Sequence, residues 1–354
     1  MDYSTIPHEE KRKINRAVRY KRQRISGMLA KTHTTHSVKT CMMQSPGNKI
    51  QVVLSRSTGR AYYKGLITCG SVWDCPICSA KISARRSEEI KQAVENWYDM
   101  GGIVVMVTYT MRHNLGDSLK NVSRVITDAI RFVHSGAPYG RIKQKYNITG
   151  SISATEILFN PVNGWHYHKH QLLFIKSSEL DYLKLEKWLF ARYNKYLGLN
   201  GYGALSGIGV KVSPPQDNEN LSDYITKWGL ENELTADNKE SGSFHPFELL
   251  DDEKYHARFV EYSRVMYGKR RLTWSRGLRD ILGLAVELTD EQLAEQSELI
   301  EDDQIELVLI PGNYWRYIVK NNLRSKLLDM AENGSECFQD WYYHVVIKRF
   351  HLNL

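Results

Sequence analysis

Residues 163–174 read NGWHYHKHQLLF, with His166, His168 and His170 at every second position ahead of an apolar run. Alternate residues of a strand project to one face, so the spacing gathers three imidazoles without any loop. Neutral imidazole is the commonest metal ligand in proteins. Upstream, GSISATEILF is followed by the turn-forming NPVNG, and the two apolar stretches should pair as an antiparallel hairpin. A turn centred on Val162 sets Glu156 directly across from His168 and on the same face. One carboxylate and two imidazoles form a ligand set for Mn²⁺ or Mg²⁺ with positions left open. Spacing does not choose the pair, since His166/His168 and His168/His170 serve equally. A zinc hydrolase with alternating histidines would need an Asp–His pair downstream, where Gln171 stands instead.

A second metal site is written in cysteine. Cys75 and Cys78 form CPIC, Cys69 lies six residues earlier, and Cys41 is further upstream. Between Cys41 and Cys69, KIQVVLS, RSTG and RAYYKGLIT read as a β-hairpin whose arms return Cys41 to Cys69. Four thiolates make a tetrahedral structural Zn²⁺ site, with His33 and His36 as rivals to Cys41. Such a closed site supplies folding energy on the order of 10 kcal/mol rather than catalysis. Cys337 stands apart and reads as a small packing residue.

Tyr224 and Lys227 are the remaining chemical pair. They fall three residues apart in QDNENLSDYITKWGLENELT, an amphipathic helix with Leu221, Ile225 and Trp228 on its apolar stripe. Taken alone, they read as ordinary border residues of that stripe. Beside a metal strand, a phenol is a competent nucleophile toward a phosphodiester and a lysine steadies the developing charge.

The chain that must position these groups has 354 residues, 42% of them hydrophobic and 25% charged, enough for about two globular domains. No apolar run approaches the roughly 18 residues of a membrane span, and the N-terminus lacks a signal-peptide core; the expected location is the cytoplasm. The net charge is +8. Residues 11–24, KRKINRAVRYKRQR, contain eight cations and no acid, a block suited to phosphates, as is KRR at 269–271. Trp165 and Trp228 are candidates for stacking on bases, with ordinary core packing the favoured reading for Trp228.

Together GWHYHKHQLLF, the YITK some fifty residues later, the preceding CGSVWDCPIC and the strand IVVMVTYTMRHN resemble the replication initiators of small rolling-circle plasmids and phages. These belong to the HUH endonuclease superfamily. HPFELL and GKRRLTWSRGLR also resemble its plasmid branch, and the similarity spans roughly 40–280. It implies a nicking and joining enzyme. The tyrosine matching Tyr224 attacks a phosphodiester at the origin and leaves a 5′-phosphotyrosine and a free 3′-OH. His168 and His170 match the family histidines, Glu156 the third ligand, and Lys227 the lysine of Tyr–x–x–Lys. Two positions depart from the pattern: Lys169 replaces the apolar residue between the histidines, and Asn220 stands where some initiators carry a terminating glutamate, with Glu219 one step off the right face and Glu231 and Glu233 as weak candidates. Implied partners are single-stranded and origin DNA, a host helicase (no GxxxxGK[ST] motif occurs in the chain) and a DNA polymerase. Related transposases or relaxases share metal and tyrosine, and a non-catalytic zinc-dependent DNA-binding regulator would share the cysteines alone.

The fold expected is α+β: a central antiparallel sheet with flanking helices, an N-terminal zinc-bound hairpin region and a mainly helical C-terminal region. Three parts follow: a basic arm and four-cysteine zinc region over 1–100, a nickase core over 101–235, and a helical region over 236–354.

Overall fold

The computed structural model describes residues 8–32, 36–176, 180–202, 209–213, 242–295 and 304–352. The architecture is α+β, with two antiparallel sheets flanked by helices. Packing divides the chain into two units: residues 1–82 with 288–354, and residues 83–287.

The first unit opens with helix α1 (His8–Thr32) and the expected hairpin, β1 (Lys49–Ser55) and β2 (Ala61–Lys64), in register Gln51↔Lys64 to Leu54↔Ala61. Its turn is tied by Ser55, whose buried hydroxyl accepts from the Thr58 N–H at 3.0 Å. Helix α2 (Pro76–Asp99) begins in this unit and carries the chain onward, the division falling within it.

In the second unit, five strands lie in the order β6–β3–β5–β4–β7. They are β3 (Ile103–Tyr109), β4 (Ile148–Asn160), β5 (Gly164–Ile175), β6 (Val210–Val212) and β7 (Leu272–Trp274), accompanied by α3 (Leu119–Val133), α4 (Gly136–Lys145), α5 (Tyr182–Leu199) and α6 (His256–Met266). Ile90, Ala93, Val94 and Trp97 of α2 pack on one sheet face, against Val104, Met106, Ile152, Ala154, Leu172 and Phe174. On the opposite face, the Tyr109 ring meets Tyr193 of α5 and His134 just beyond α3. Helix α3 buries Leu119, Val122, Val125, Ile126, Ala129 and Val133. Each fully buried aliphatic side chain contributes roughly 1.5–3 kcal/mol, so packing outweighs the Ser118 N-cap, worth about 1 kcal/mol.

The hairpin turn between β4 and β5 sets the register of the whole sheet. The Asn160 side-chain oxygen accepts from the Val162 and Asn163 N–H groups at 2.9 and 3.1 Å, closing an Asx turn. Gly164 ends it at φ +81°, where a Cβ would stand 2.6 Å from the Asn114 carbonyl oxygen. Only glycine fits, and the register becomes Glu156↔His168, as the turn predicts. A slip of one residue would turn every histidine to the other face.

The chain then returns to the first unit through β8 (Gln304–Pro311), followed by α7 (Gly312–Lys320), α8 (Arg324–Glu332) and α9 (Ser335–Trp341). The C-terminal region is mainly helical, but β8 adds a strand absent from the sequence reading, completing a sheet of order β2–β1–β8. Its partner strand lies some 250 residues away, which a local pattern does not reveal.

Part of the basic block is paired within the fold. Arg16 and Arg19 of α1 reach Asp329 at 2.8 and 2.9 Å, and Arg19 also bonds Glu332. Asp329 is only 1% exposed, so these cations serve the fold. Cys337 is exposed rather than packed. Trp165 is fully buried, with its indole N–H donating to Glu261 at 3.0 Å, so it is a core residue and not a base-stacking platform.

Two candidate metal centres

The paired strands β4 and β5 bring Glu156, His168 and His170 together. One carboxylate oxygen of Glu156 lies 3.3 Å from His168 Nδ1 and 3.0 Å from His170 Nε2. Burial by itself would raise the carboxyl pKa, but the hydrogen bonds of the two histidines outweigh it and hold the group well below the usual carboxylate range. The three side chains are 37%, 29% and 14% exposed, so the cluster opens to solvent on one side. Their ligand atoms lie within 4.8 Å of one another, and this O, N, N set could hold a metal ion.

Thr108 completes the arrangement. Paired with His170 across β3 and β5, it places its hydroxyl 3.0 Å from His170 Nδ1. When Nδ1–H donates to that hydroxyl, the Nε2 lone pair is left pointing into the cluster, which is the tautomer a metal needs. Thr108 lies in the VTYT motif at the end of β3, and its place beside His170 comes from cross-strand pairing with a strand some sixty residues away.

His166 shares the face without joining the cluster. Its ring meets His113 edge-on at 4.5 Å, and burial, then His113 and His168, lower its pKa to about 4. Lys169 projects from the other face and is half-buried; burial, with Lys269 adding, draws its ammonium down to about 8. The 269–271 stretch runs beside β4, where the Arg271 carbonyl accepts from the Thr155 N–H at 3.1 Å. Tyr224 and Lys227 lie outside the described residues, as do Trp228, Glu219, Asn220, Glu231 and Glu233. Strand β6, which precedes them in the chain, pairs with β3 at Lys211↔Thr108.

The first unit holds the other centre. Cys41, Cys75 and Cys78 are buried and Cys69 is half-buried. Sulfur atoms stand 3.5 Å apart for Cys41–Cys78 and Cys41–Cys75, and 3.6 Å apart for Cys69–Cys78. A disulfide requires about 2.05 Å, whereas a tetrahedron of thiolates around a metal at about 2.3 Å has edges of roughly 3.8 Å. The spacing therefore fits a closed four-sulfur site, and all four atoms lie within 4.8 Å. Hydrogen bonds from Cys41, Cys69 and Cys75 hold the Cys78 thiol well below its ordinary value, so one thiolate is already favoured. His33 lies outside the described residues, and the four-cysteine group forms without His36. Arg324, invisible to the sequence reading, is buried close enough to feel Cys41 and Cys75, and donates to the Met42 carbonyl at 3.4 Å. Its charge would offset that of thiolates gathered at this site.

Residues 64–310 match the model of a family described as replication protein. That interval contains the sheet, the Glu–His–His cluster and three of the four cysteines. The chain belongs to this replication protein family, in agreement with its resemblance to rolling-circle initiators. It is similar to a protein rep of Streptomyces lividans, at 27% identity over 307 residues, covering 66% of this chain and 67% of that protein. It is also similar to a neomycin resistance protein of Streptomyces cyanogenus, at 30% over 153 residues, covering 35% of this chain and 34% of the relative. A protein rep of Lentilactobacillus hilgardii is 26% identical over 120 residues, 32% of this chain and 37% of its own. No solved structure matches the chain. Among the described residues no helix is long and apolar enough to cross a membrane.

Proposed function

We propose that this protein nicks and rejoins one DNA strand at a rolling-circle plasmid or phage origin through a 5′-phosphotyrosine intermediate. The observation that carries the reading is the convergence of Glu156, His168 and His170 on one open face of the sheet of a replication protein. An ion held there would polarise the scissile phosphate and offset charge in the transition state. Two imidazole nitrogens beside one carboxylate favour Mn²⁺, with Mg²⁺ as the second candidate.

Tyr224 is the nucleophile. Its phenolic oxygen bonds to phosphorus as the bond to the 3′ oxygen breaks, and that oxygen leaves as the 3′-OH that a DNA polymerase extends. Lys227 steadies the phosphate oxygens. Glu156 is the third ligand beside the two imidazoles, and Thr108 fixes the orientation of His170. The Cys41, Cys69, Cys75 and Cys78 site takes Zn²⁺ and serves folding. A separate host helicase opens the duplex. The place of action is the cytoplasm.

The test is incubation with origin oligonucleotides and Mn²⁺, resolved on a denaturing gel. A protein–DNA band is expected from wild type and not from Tyr224→Phe, and a band of equal strength from both discards the mechanism. A protein that binds the origin without forming any covalent band would be a zinc-dependent regulator.

A further inference from the structure

Helix α4 is hard to explain by its own stability. It has ten residues, GAPYGRIKQK, with two glycines and a proline, no side-chain cap and no buried residue. Helices this short are marginal in water without an apolar face to bury. It meets the rest of its unit through the Tyr139 ring, 4.6 Å from His134 and 6.5 Å from Trp188, and through Arg192, which donates to the carbonyl of Ser135 just ahead of the helix at 2.7 Å.

What α4 does present is charge. Arg141, Lys143 and Lys145 are exposed, and the helix has no acid. Lys176, also exposed, joins them, because its N–H donates to the Asn147 carbonyl just past the helix end. Among the described residues no carboxylate pairs with any of the four, and Asp181 is already taken by Lys184 at 2.8 Å. Favourable interaction with the helix dipole explains cations in the last turn. It does not explain Arg141, nor the lack of an acid in the first turn.

We propose that α4, with Lys176, is a docking surface for the phosphate backbone of double-stranded DNA. Chain geometry fixes its distance from the metal cluster. Helix α4 leads directly into β4, and Glu156 lies eight residues beyond Ile148, about 27 Å along a strand rising ~3.4 Å per residue. At ~3.4 Å per base pair this equals about eight base pairs. Duplex held on α4 would therefore flank the nicked strand instead of entering the cleft. Only this spacing rests on the nicking reading; the docking surface does not.

The probe is a 30-base-pair duplex titrated with the full-length protein between 0.05 and 0.3 M salt. Each phosphate neutralised contributes about −0.9 to the slope of log affinity against log salt. The triple variant Arg141→Gln, Lys143→Gln, Lys145→Gln should shallow that slope by roughly 2 to 3 and weaken binding on the order of 10²-fold at 0.1 M. A charge-matched control, Arg316→Gln, Lys320→Gln, Lys348→Gln, should bind within about threefold of wild type. An unchanged slope in the α4 variant overturns the proposal, and so does an equal loss in the control. Preserved duplex binding with loss of RNA binding also overturns it, and assigns the surface to RNA. Circular dichroism of both variants verifies folding, and Lys176→Gln alone, outside the helix, should lower the slope by about 0.9 if the helix variant fails to fold. Covalent-band formation on a single-stranded oligonucleotide is read in parallel; its absence in wild type defeats the nicking reading and leaves the duplex result standing.

Discussion

The two candidate metal centres differ in closure. Four cysteines converge with three of the four side chains buried, and four thiolates would complete a tetrahedral site. Glu156, His168 and His170 would supply three ligands on one side, with up to 37% of a side chain exposed. Closed four-ligand sites hold structure and open sites do chemistry. The ligands also come from different kinds of neighbour. Cys41 and Cys69 must be drawn together across a hairpin, so the first site and its fold depend on each other. The second site stands on a sheet whose apolar core is built from other residues.

The contrast is broken or sharpened most strongly at Cys78. Cys78→Ser should leave the first unit unfolded at ambient temperature, a loss approaching 10 kcal/mol, read as lost helical signal and less than half an equivalent of bound zinc. Glu156→Ala should keep its melting temperature while losing Mn²⁺ binding and nicking. If both variants are equally stable, the structural and catalytic roles are not divided as drawn.

Asp329→Ala isolates what else holds the first unit. It removes the buried carboxylate that Arg16 and Arg19 share and should cost about 3–5 kcal/mol in urea unfolding. Asp329→Asn should recover part of this through hydrogen bonding alone.

The pH response belongs to the second unit. Burial lowers the pKa of His134 from 6.5 to about 4, so the unfolded chain binds the extra proton between those values. Stability is then full above pH 6.5 and falls as pH drops toward 4, by up to about 3 kcal/mol. His134→Phe should flatten that part of the curve, leaving the share of His166, which is lowered for a similar reason. An unaltered curve removes His134 from the account.

The smallest effect is at Thr108. Thr108→Val keeps the shape and deletes the hydroxyl facing His170 Nδ1, and should weaken Mn²⁺ binding roughly 10–100-fold. Thr108→Ser should recover most of it.

Much of this was legible in the amino-acid order. Period-two spacing put His168 and His170 on one face, and Asn160 through Gly164 fixed a turn that set Glu156 across from them. The hairpin between Cys41 and Cys69 was legible for the same reason, since its turn and strands are contiguous. Long-range partners were not. Strand β8 joins β1 from the far end of the chain, Asp329 takes up Arg16 and Arg19, and Arg324 settles beside the thiols. Trp165, which by type suited a base, is enclosed by Phe159, Tyr262 and Glu261.

The sequence by itself determined the ligand types, their spacing along each strand and the turns that pair neighbouring segments, because these depend on φ, ψ and side-chain period within a few residues. Tertiary structure decided which charges were neutralised, that His166 stands apart with His113 while His170 meets Thr108, and which cationic helix was left facing solvent. Burial and Coulomb energy depend on distance in space, and chain order does not encode that distance locally.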